Sequence, residues 1–269
     1  MTLPPLPVTR EVPAHDPGTL HAGVVRVHGD CASDVGCVRA VNEDAVALIA
    51  GTRGAPSAGG LAVVCDGVGG HGGGDTASRL AVGACLVALQ RDTGDLAAAL
   101  EAALRQANSA IRALATAKPQ LRGMATTCTA IAVSRGIAAC AHVGDSRAYL
   151  FRDGSLLQLT EDHSEVERLV RAGTITREDA STHPRRNIIL HALGFEEHAT
   201  IALWPRALPV RAGDRLLACT DGLHGLVPES ALADALRDDD PTATCAQLVQ
   251  QARDAGGHDN ISVAVLHVV

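Results

Sequence analysis

Residues 126–159 read TTCTAIAVSRGIAACAHVGDSRAYLFRDGSLLQL. Four short β-like runs lie in this stretch, Thr126–Val133, Ile137–Val143, Ala148–Phe151 and Leu156–Leu159, with no helical pattern between them. Arg152-Asp153-Gly154 between the last two is a hairpin signal, because Asp and Gly tolerate the backbone of a tight turn. Similar runs occur earlier at Ala45–Ala50 and Leu61–Cys65, and later at Arg215–Cys219 and Ile261–Val268. Helical spacing marks Asp75–Gln90 and Leu96–Ala117; in the second, Leu96, Leu100, Leu104, Ile111 and Leu114 share one face. Shorter helices are expected at Ser164–Ala172, Glu229–Leu236 and Thr242–Ala255. Strands come in consecutive groups, with helices between groups instead of after every strand. That order favours an α+β fold with antiparallel sheets over a doubly wound parallel sheet.

The chain has 269 residues, enough for one large core. Its hydrophobic residues are almost all Ala, Val and Leu, and Lys118 is the single lysine. A net charge of −7 speaks against nonspecific binding to a nucleic-acid backbone. The eight cysteines form no C-x-x-C pair and several sit in apolar runs. They read as small buried hydrophobes of a reducing compartment, not as disulfides or zinc ligands. No signal-like opening and no membrane-length apolar run is present, so a cytoplasmic protein is expected. Residues 1–22 are Pro-rich and aperiodic, which predicts a flexible tail; 23–269 read as one domain.

The informative pattern is where the acidic residues fall. Leu61–Cys65 ends in Asp66-Gly67, Ile137–Gly144 in Asp145, and Arg215–Thr220 in Asp221-Gly222. Asp259-Asn260 precedes the last strand, and Asn42-Glu43-Asp44 precedes the strand from Ala45. One Asp-Gly after an apolar run is usually a turn. Five acidic sites at strand mouths would repel one another and raise one another's pKa unless a cation sat among them. Oxygen ligands without a matching His/Cys set suit Mg²⁺ or Mn²⁺. Two such ions are expected to share a water, activate it and aim it at phosphorus for in-line attack. A guanidinium fits the remaining phosphate oxygens, and Arg39 is the candidate.

These residues sit in longer motifs. Ser33-Asp34-Val35-Gly36-Cys37-Val38-Arg39-Ala40-Val41-Asn42-Glu43-Asp44 resembles the opening motif of the protein phosphatase 2C (PPM) family, bacterial branch. Asp66-Gly67-Val68-Gly69-Gly70-His71 and Gly123-Met124-Ala125-Thr126-Thr127 resemble its next two. Val143-Gly144-Asp145-Ser146-Arg147 and Leu159-Thr160-Glu161-Asp162-His163-Ser164 are similar to its middle. Cys219-Thr220-Asp221-Gly222-Leu223 and Gly256-Gly257-His258-Asp259-Asn260-Ile261 are similar to its end. The motifs occur in the family's order from about Val24 onward.

The resemblance implies a four-layer α-β-β-α sandwich of two antiparallel sheets flanked by helices. It implies a serine/threonine protein phosphatase holding two Mn²⁺ or Mg²⁺ ions, with a third, weaker ion in bacterial members. Asp66 would bridge the two ions, Asp221 and Asp259 would join one, and Asp44 or Glu43 with the Gly67 carbonyl would join the other. Asp145 takes the third position, and Arg39 contacts phosphate. Catalysis is thereby expected to rest on Arg39, Asp66 and Asp221, while Asn42, His71 and Asn260 are candidates for supporting the ligands from behind. Residues 165–194 resemble the flap beside the site. Partners implied are phosphorylated Ser/Thr proteins and a cognate Ser/Thr kinase, with no nucleic acid, no membrane and a monomeric chain. The sequence departs from the family at Val68, where animal relatives carry a histidine proposed as general acid. Ala125 replaces a glycine, and His191 an arginine of the flap.

Other readings fit less well. Gly67-Val68-Gly69-Gly70-His71-Gly72 matches a dinucleotide-binding fingerprint, but Asp66 would face a pyrophosphate and a second helix follows where a strand is required. No Gly-Lys-Ser/Thr supports Walker-type binding. A nuclease would want a basic groove. A pseudophosphatase that only binds phosphoproteins would lack ligands, and none is missing.

Overall fold

The apolar runs become strands, and the helices cover the two outer faces they form. The computed structural model describes residues 25–69, 73–89, 94–204 and 206–269. The expected tail at 1–22 and His71 lie outside them. The chain runs β1 (Val27–Asp34), β2 (Ala45–Ile49), β3 (Gly59–Cys65), β4 (Gly67–Val68), α1 (Gly73–Leu89), α2 (Leu96–Ala117) and β5 (Ala125–Thr126). Then come β6 (Cys128–Ser134), β7 (Ile137–Val143), β8 (Arg147–Arg152), β9 (Ser155–Gln158), α3 (Glu165–Arg171) and α4 (Arg177–Thr182). It closes with β10 (Ala202–Leu203), β11 (Leu208–Pro209), β12 (Arg215–Cys219), α5 (Asp221–His224), α6 (Glu229–Ala235), α7 (Pro241–Asp254) and β13 (Ile261–Val268).

One sheet has the order β1-β13-β12-β8-β9; the other is β10-β7-β6-β3-β2, with β11 also on β7. Pairing within both is antiparallel. Strand β3 shows how the layers arise. Side chains alternate across a strand, so Leu61, Val63 and Cys65 meet Ala77, Ala81, Leu100, Leu104 and Ile111 of α1 and α2. Ala62 and Val64 face the other way, into a core shared with Leu150, Leu216, Ala218, Ala264 and Leu266 of the second sheet. On that sheet's far side Tyr149, Leu217, Val263 and Val265 pack against Leu232, Cys245 and Leu248 of α6 and α7. This is the α-β-β-α sandwich the sequence led us to expect. Both faces of the central strands are buried, which is why they read as unbroken apolar runs.

The differences have local causes. The run Thr126–Val133 breaks at Thr127, whose N–H and hydroxyl are both engaged by the Asp66 backbone instead of a ladder. Strand β1 was not legible in VHGDCASD, because its order comes from full-length pairing with the buried β13, from Val27↔Val268 to Asp34↔Ile261. Gly29 is needed there, since a Cβ would collide with the Val265 carbonyl oxygen. The cysteines are free, yet Cys37 is exposed and Cys31 half-buried, so burial holds for the other six only. Residues 165–194 carry α3 and α4, and both ends of the stretch are fastened: Glu165 N–H donates to Ile188 O, and Leu190 N–H to His163 O. No helix among the described residues is long and apolar enough to cross a membrane.

Candidate metal centre

Strand register alone gathers the acidic residues. Ala45 pairs with Cys65, so Asp44 and Asp66 leave the β2–β3 pair side by side. Val143 pairs with Cys128, which carries Asp145 to the same end of that sheet. In the other sheet Cys219 pairs with Val263 and Thr220 N–H donates to Ser262 O, bringing Asp221 to the Asp259 turn. Three strand ends and two strand starts thus deliver five aspartates to one end of the sandwich.

Their electrostatics match that convergence. Burial, then the charges of Asp221, Asp44, Asp145 and Asp259, push the Asp66 carboxyl well above its usual range. Burial lifts Asp44 to about 7 against the hydrogen bonds of Ser262 and Thr220. Asp145 and Asp221 are raised by burial and then by acidic neighbours, Asp221 and Asp259 respectively. Among the described residues, Asp44 Oδ1, Asp145 Oδ1 and Asp221 Oδ1 are buried with no hydrogen-bond partner. Orphaned buried oxygens normally cost about 1–3 kcal/mol each or more when charged. Among those residues no three acidic, imidazole or thiol side chains close around one point. The fit to a cation therefore rests on the donors, which are hard carboxylate oxygens, mutually repelling and, in Asp44, Asp145 and Asp221, left with an unpartnered oxygen. Such a set suits Mg²⁺ or Mn²⁺.

A stability test follows. Asp44 titrates at about 7 in the fold against 3.8 for its ordinary value, so the unfolded chain releases this proton first. The metal-free fold then loses stability as pH rises from about 4 to about 7, and binding a cation to the ionised form restores it. Thermal melts in EDTA should fall across that window and recover with Mn²⁺. A midpoint that is flat with pH and indifferent to Mn²⁺ would contradict the cluster's charge state.

Neighbouring residues hold these groups in place. Asn260 Nδ2 donates to the carbonyls of Val35 and Val41 at 3.0 Å, and its Oδ1 accepts from Glu43 N–H at 2.8 Å. It clamps the first loop to the last. Gly36, at φ +78°, lets that loop close, since a Cβ would collide with the Asp259 carbonyl oxygen. Asn42 Oδ1 accepts from Asp44 N–H at 3.1 Å while its Nδ2 donates to Ser33 Oγ at 2.8 Å, so it shapes the turn before Asp44. The Glu43 carbonyl accepts from Ser78 Oγ of α1, and its carboxyl lies against Gly74. Gly67 packs between Glu43 and Gly74 so tightly that a Cβ has no room. Arg39 Nη2 donates to Asp259 Oδ2 at 2.7 Å, with the Arg39 side chain 55% exposed. Val68, half-buried in β4, offers no acid.

Several supporting residues escaped sequence reading because their bonds join separate segments of the chain. Thr220 Oγ1 donates to Asp44 Oδ2 at 2.9 Å. His224 Nε2 sits 2.9 Å from the Asp145 carbonyl; burial, then Arg147, lowers its pKa to about 3, so the neutral ring donates there. Arg147 forms a two-pronged pair with Asp162, whose charge also bears on Asp145. Thr220 and Arg147 lie within two residues of Asp221 and Asp145, the one available signal, which His224 does not share.

Comparison with known proteins gives this geometry its relatives. Residues 38–262 match the family model described as protein phosphatase 2C. The serine/threonine protein phosphatase PstP of Mycobacterium tuberculosis (strain ATCC 25618 / H37Rv) is 43% identical over 240 residues, covering 88% of this chain and 44% of the relative. This chain thus spans less than half of that relative's length. The serine/threonine phosphatase stp of Listeria welshimeri is 36% identical over 89% of this chain and 95% of its own. Among solved structures, the catalytic domain of PstP in complex with two manganese ions superposes with a TM-score of 0.79 at 40% identity, covering 91% of this chain and 99% of that one. The chain belongs to the protein phosphatase 2C family.

Proposed function

We propose that this chain is a metal-dependent protein serine/threonine phosphatase. Asp66, Asp221, Asp259 and Asp44, with the Gly67 carbonyl and Glu43 as further oxygen donors, would hold two Mn²⁺ or Mg²⁺ ions, and Asp145 a third. The observation that carries the reading is the set of buried, partnerless carboxylate oxygens on separate strand ends. The manganese complex of the similar PstP domain supports the choice of ion. When bound, a pair of such ions lowers the pKa of a shared water and offsets charge developing on a phosphoryl group. The chain's own residues do the rest. Asp44 is held by Thr220, which leaves its Oδ1 free, and Asp259 is held by Arg39 and the Asn260 N–H, so both carboxylates keep fixed directions. The Arg39 guanidinium spends one nitrogen on Asp259 and leaves the others open to solvent, where they can fork onto a phosphate. The substrates would be proteins phosphorylated on Ser or Thr by a kinase in the same cytoplasm. A role restricted to binding phosphoproteins would predict a lost acid, and all five aspartates are present.

At saturating Mn²⁺, Arg39→Ala should raise KM for a phosphothreonine peptide by about tenfold or more, the scale of a charged hydrogen bond. The change in kcat should be smaller. Steady-state kinetics check this, and an unchanged KM would remove Arg39 from phosphate binding.

A further inference from the structure

The loop that carries Arg39 also displays Val38 and Val41, 67% and 59% exposed, the most exposed large hydrophobic residues among those described. The loop does not need them for its own structure, because its fastenings are polar or backbone. Cys37 N–H donates to the Gly257 carbonyl at 2.7 Å, Gly36 N–H to Asp34 Oδ1 at 2.8 Å, and Asn260 holds Val35, Val41 and Glu43. Two β-branched side chains on a pinned loop lose little conformational freedom when something covers them. A single exposed valine means nothing. Here two of them flank, along the chain, the arginine whose guanidinium reaches Asp259.

Resting on the phosphatase reading, we propose that Val38 and Val41 contact the substrate and select apolar residues beside the phosphorylated one. A peptide whose phosphate meets Arg39 has its neighbouring residues within reach of this loop, since adjacent residues of an extended chain lie about 3.3 Å apart. An apolar neighbour covers the valines. An acidic neighbour would gain nothing there, since neither valine offers it a hydrogen bond or a charge. Selection for an apolar flank is therefore written in the same loop as the phosphate contact.

The test uses the full chain with Mn²⁺, p-nitrophenyl phosphate and two phosphothreonine peptides. One peptide has Leu at the two positions on each side of phosphothreonine; the other has Ser there. The wild type should favour the Leu peptide in kcat/KM by about tenfold, the low end for apolar discrimination. The preference should lie mainly in KM, shrink to within about twofold in Val38→Ser/Val41→Ser, and persist in Val38→Leu/Val41→Leu. Equal use of both peptides by the wild type, or a preference that survives the double serine change, overturns the inference. Hydrolysis of neither peptide nor p-nitrophenyl phosphate would instead bring down the phosphatase reading itself.

Discussion

Asp221→Asn should reduce kcat on a phosphothreonine peptide by about 10²–10³-fold, and Asp66→Asn by at least as much. Asparagine keeps the shape of the carboxylate and one lone-pair oxygen but removes the charge. In the folded chain Asp66 is raised by burial and then by four other aspartates, so it lies at the centre of the repulsion. Without metal, deleting one of those charges relieves the fold. Asp66→Asn should therefore melt higher than wild type in EDTA near neutral pH while losing activity in Mn²⁺. That opposite movement of stability and turnover separates a functional acid from a structural one. Wild-type turnover by either variant, or a lower melting point in EDTA, would show that the acids do not act as a repelling ligand set.

Arg147→Ala should cost about 3–5 kcal/mol of stability at neutral pH, the largest structural effect we expect from a side chain outside the acidic cluster. Arg147 Nε lies 2.9 Å from Asp162 Oδ1 and Nη2 lies 2.7 Å from Oδ2, with the two side chains 20% and 9% exposed. Burial alone would raise the Asp162 carboxyl, yet the Arg147 charge and hydrogen bonds hold it below the usual range. Removing the arginine leaves a buried carboxylate unpaired. A group held low contributes stability above its unfolded pKa and loses it as pH falls through the folded value, so the penalty should shrink in strong acid. Urea unfolding of both proteins at neutral and acid pH measures it; a neutral-pH difference under about 1 kcal/mol would contradict the pairing's role.

Much of the sandwich was legible because its central strands are long and apolar and α2 is strongly patterned. Leu96–Ala117 matches the expected helix, and Asp95 caps it by accepting from Ala98 N–H. Strand β1 was not legible: Gly29, Asp30 and Ser33 look like loop residues, and only the partner β13 makes them a strand. The two-residue strands β4, β5, β10 and β11 are too short for any periodicity. The acidic residues could be named from their places at strand ends, since antiparallel register then forces them together. What holds them could not. Asn260 is a candidate support from its place beside Asp259, yet only the fold shows its amide joining Val35, Val41 and Glu43, which lie more than two hundred positions away. His224 likewise gives no sign in sequence that it serves the Asp145 carbonyl.

The most direct test is phosphate release from a phosphothreonine peptide by the full chain after stripping with EDTA, followed by titration with Mn²⁺ while binding is measured by calorimetry. The stripped protein should be inactive, and activity should appear as two ions bind per chain, with both lost in Asp66→Asn. Undiminished hydrolysis under complete chelation, or full activity with no ion bound, would contradict the claim that these strand-end carboxylates exist to hold divalent cations.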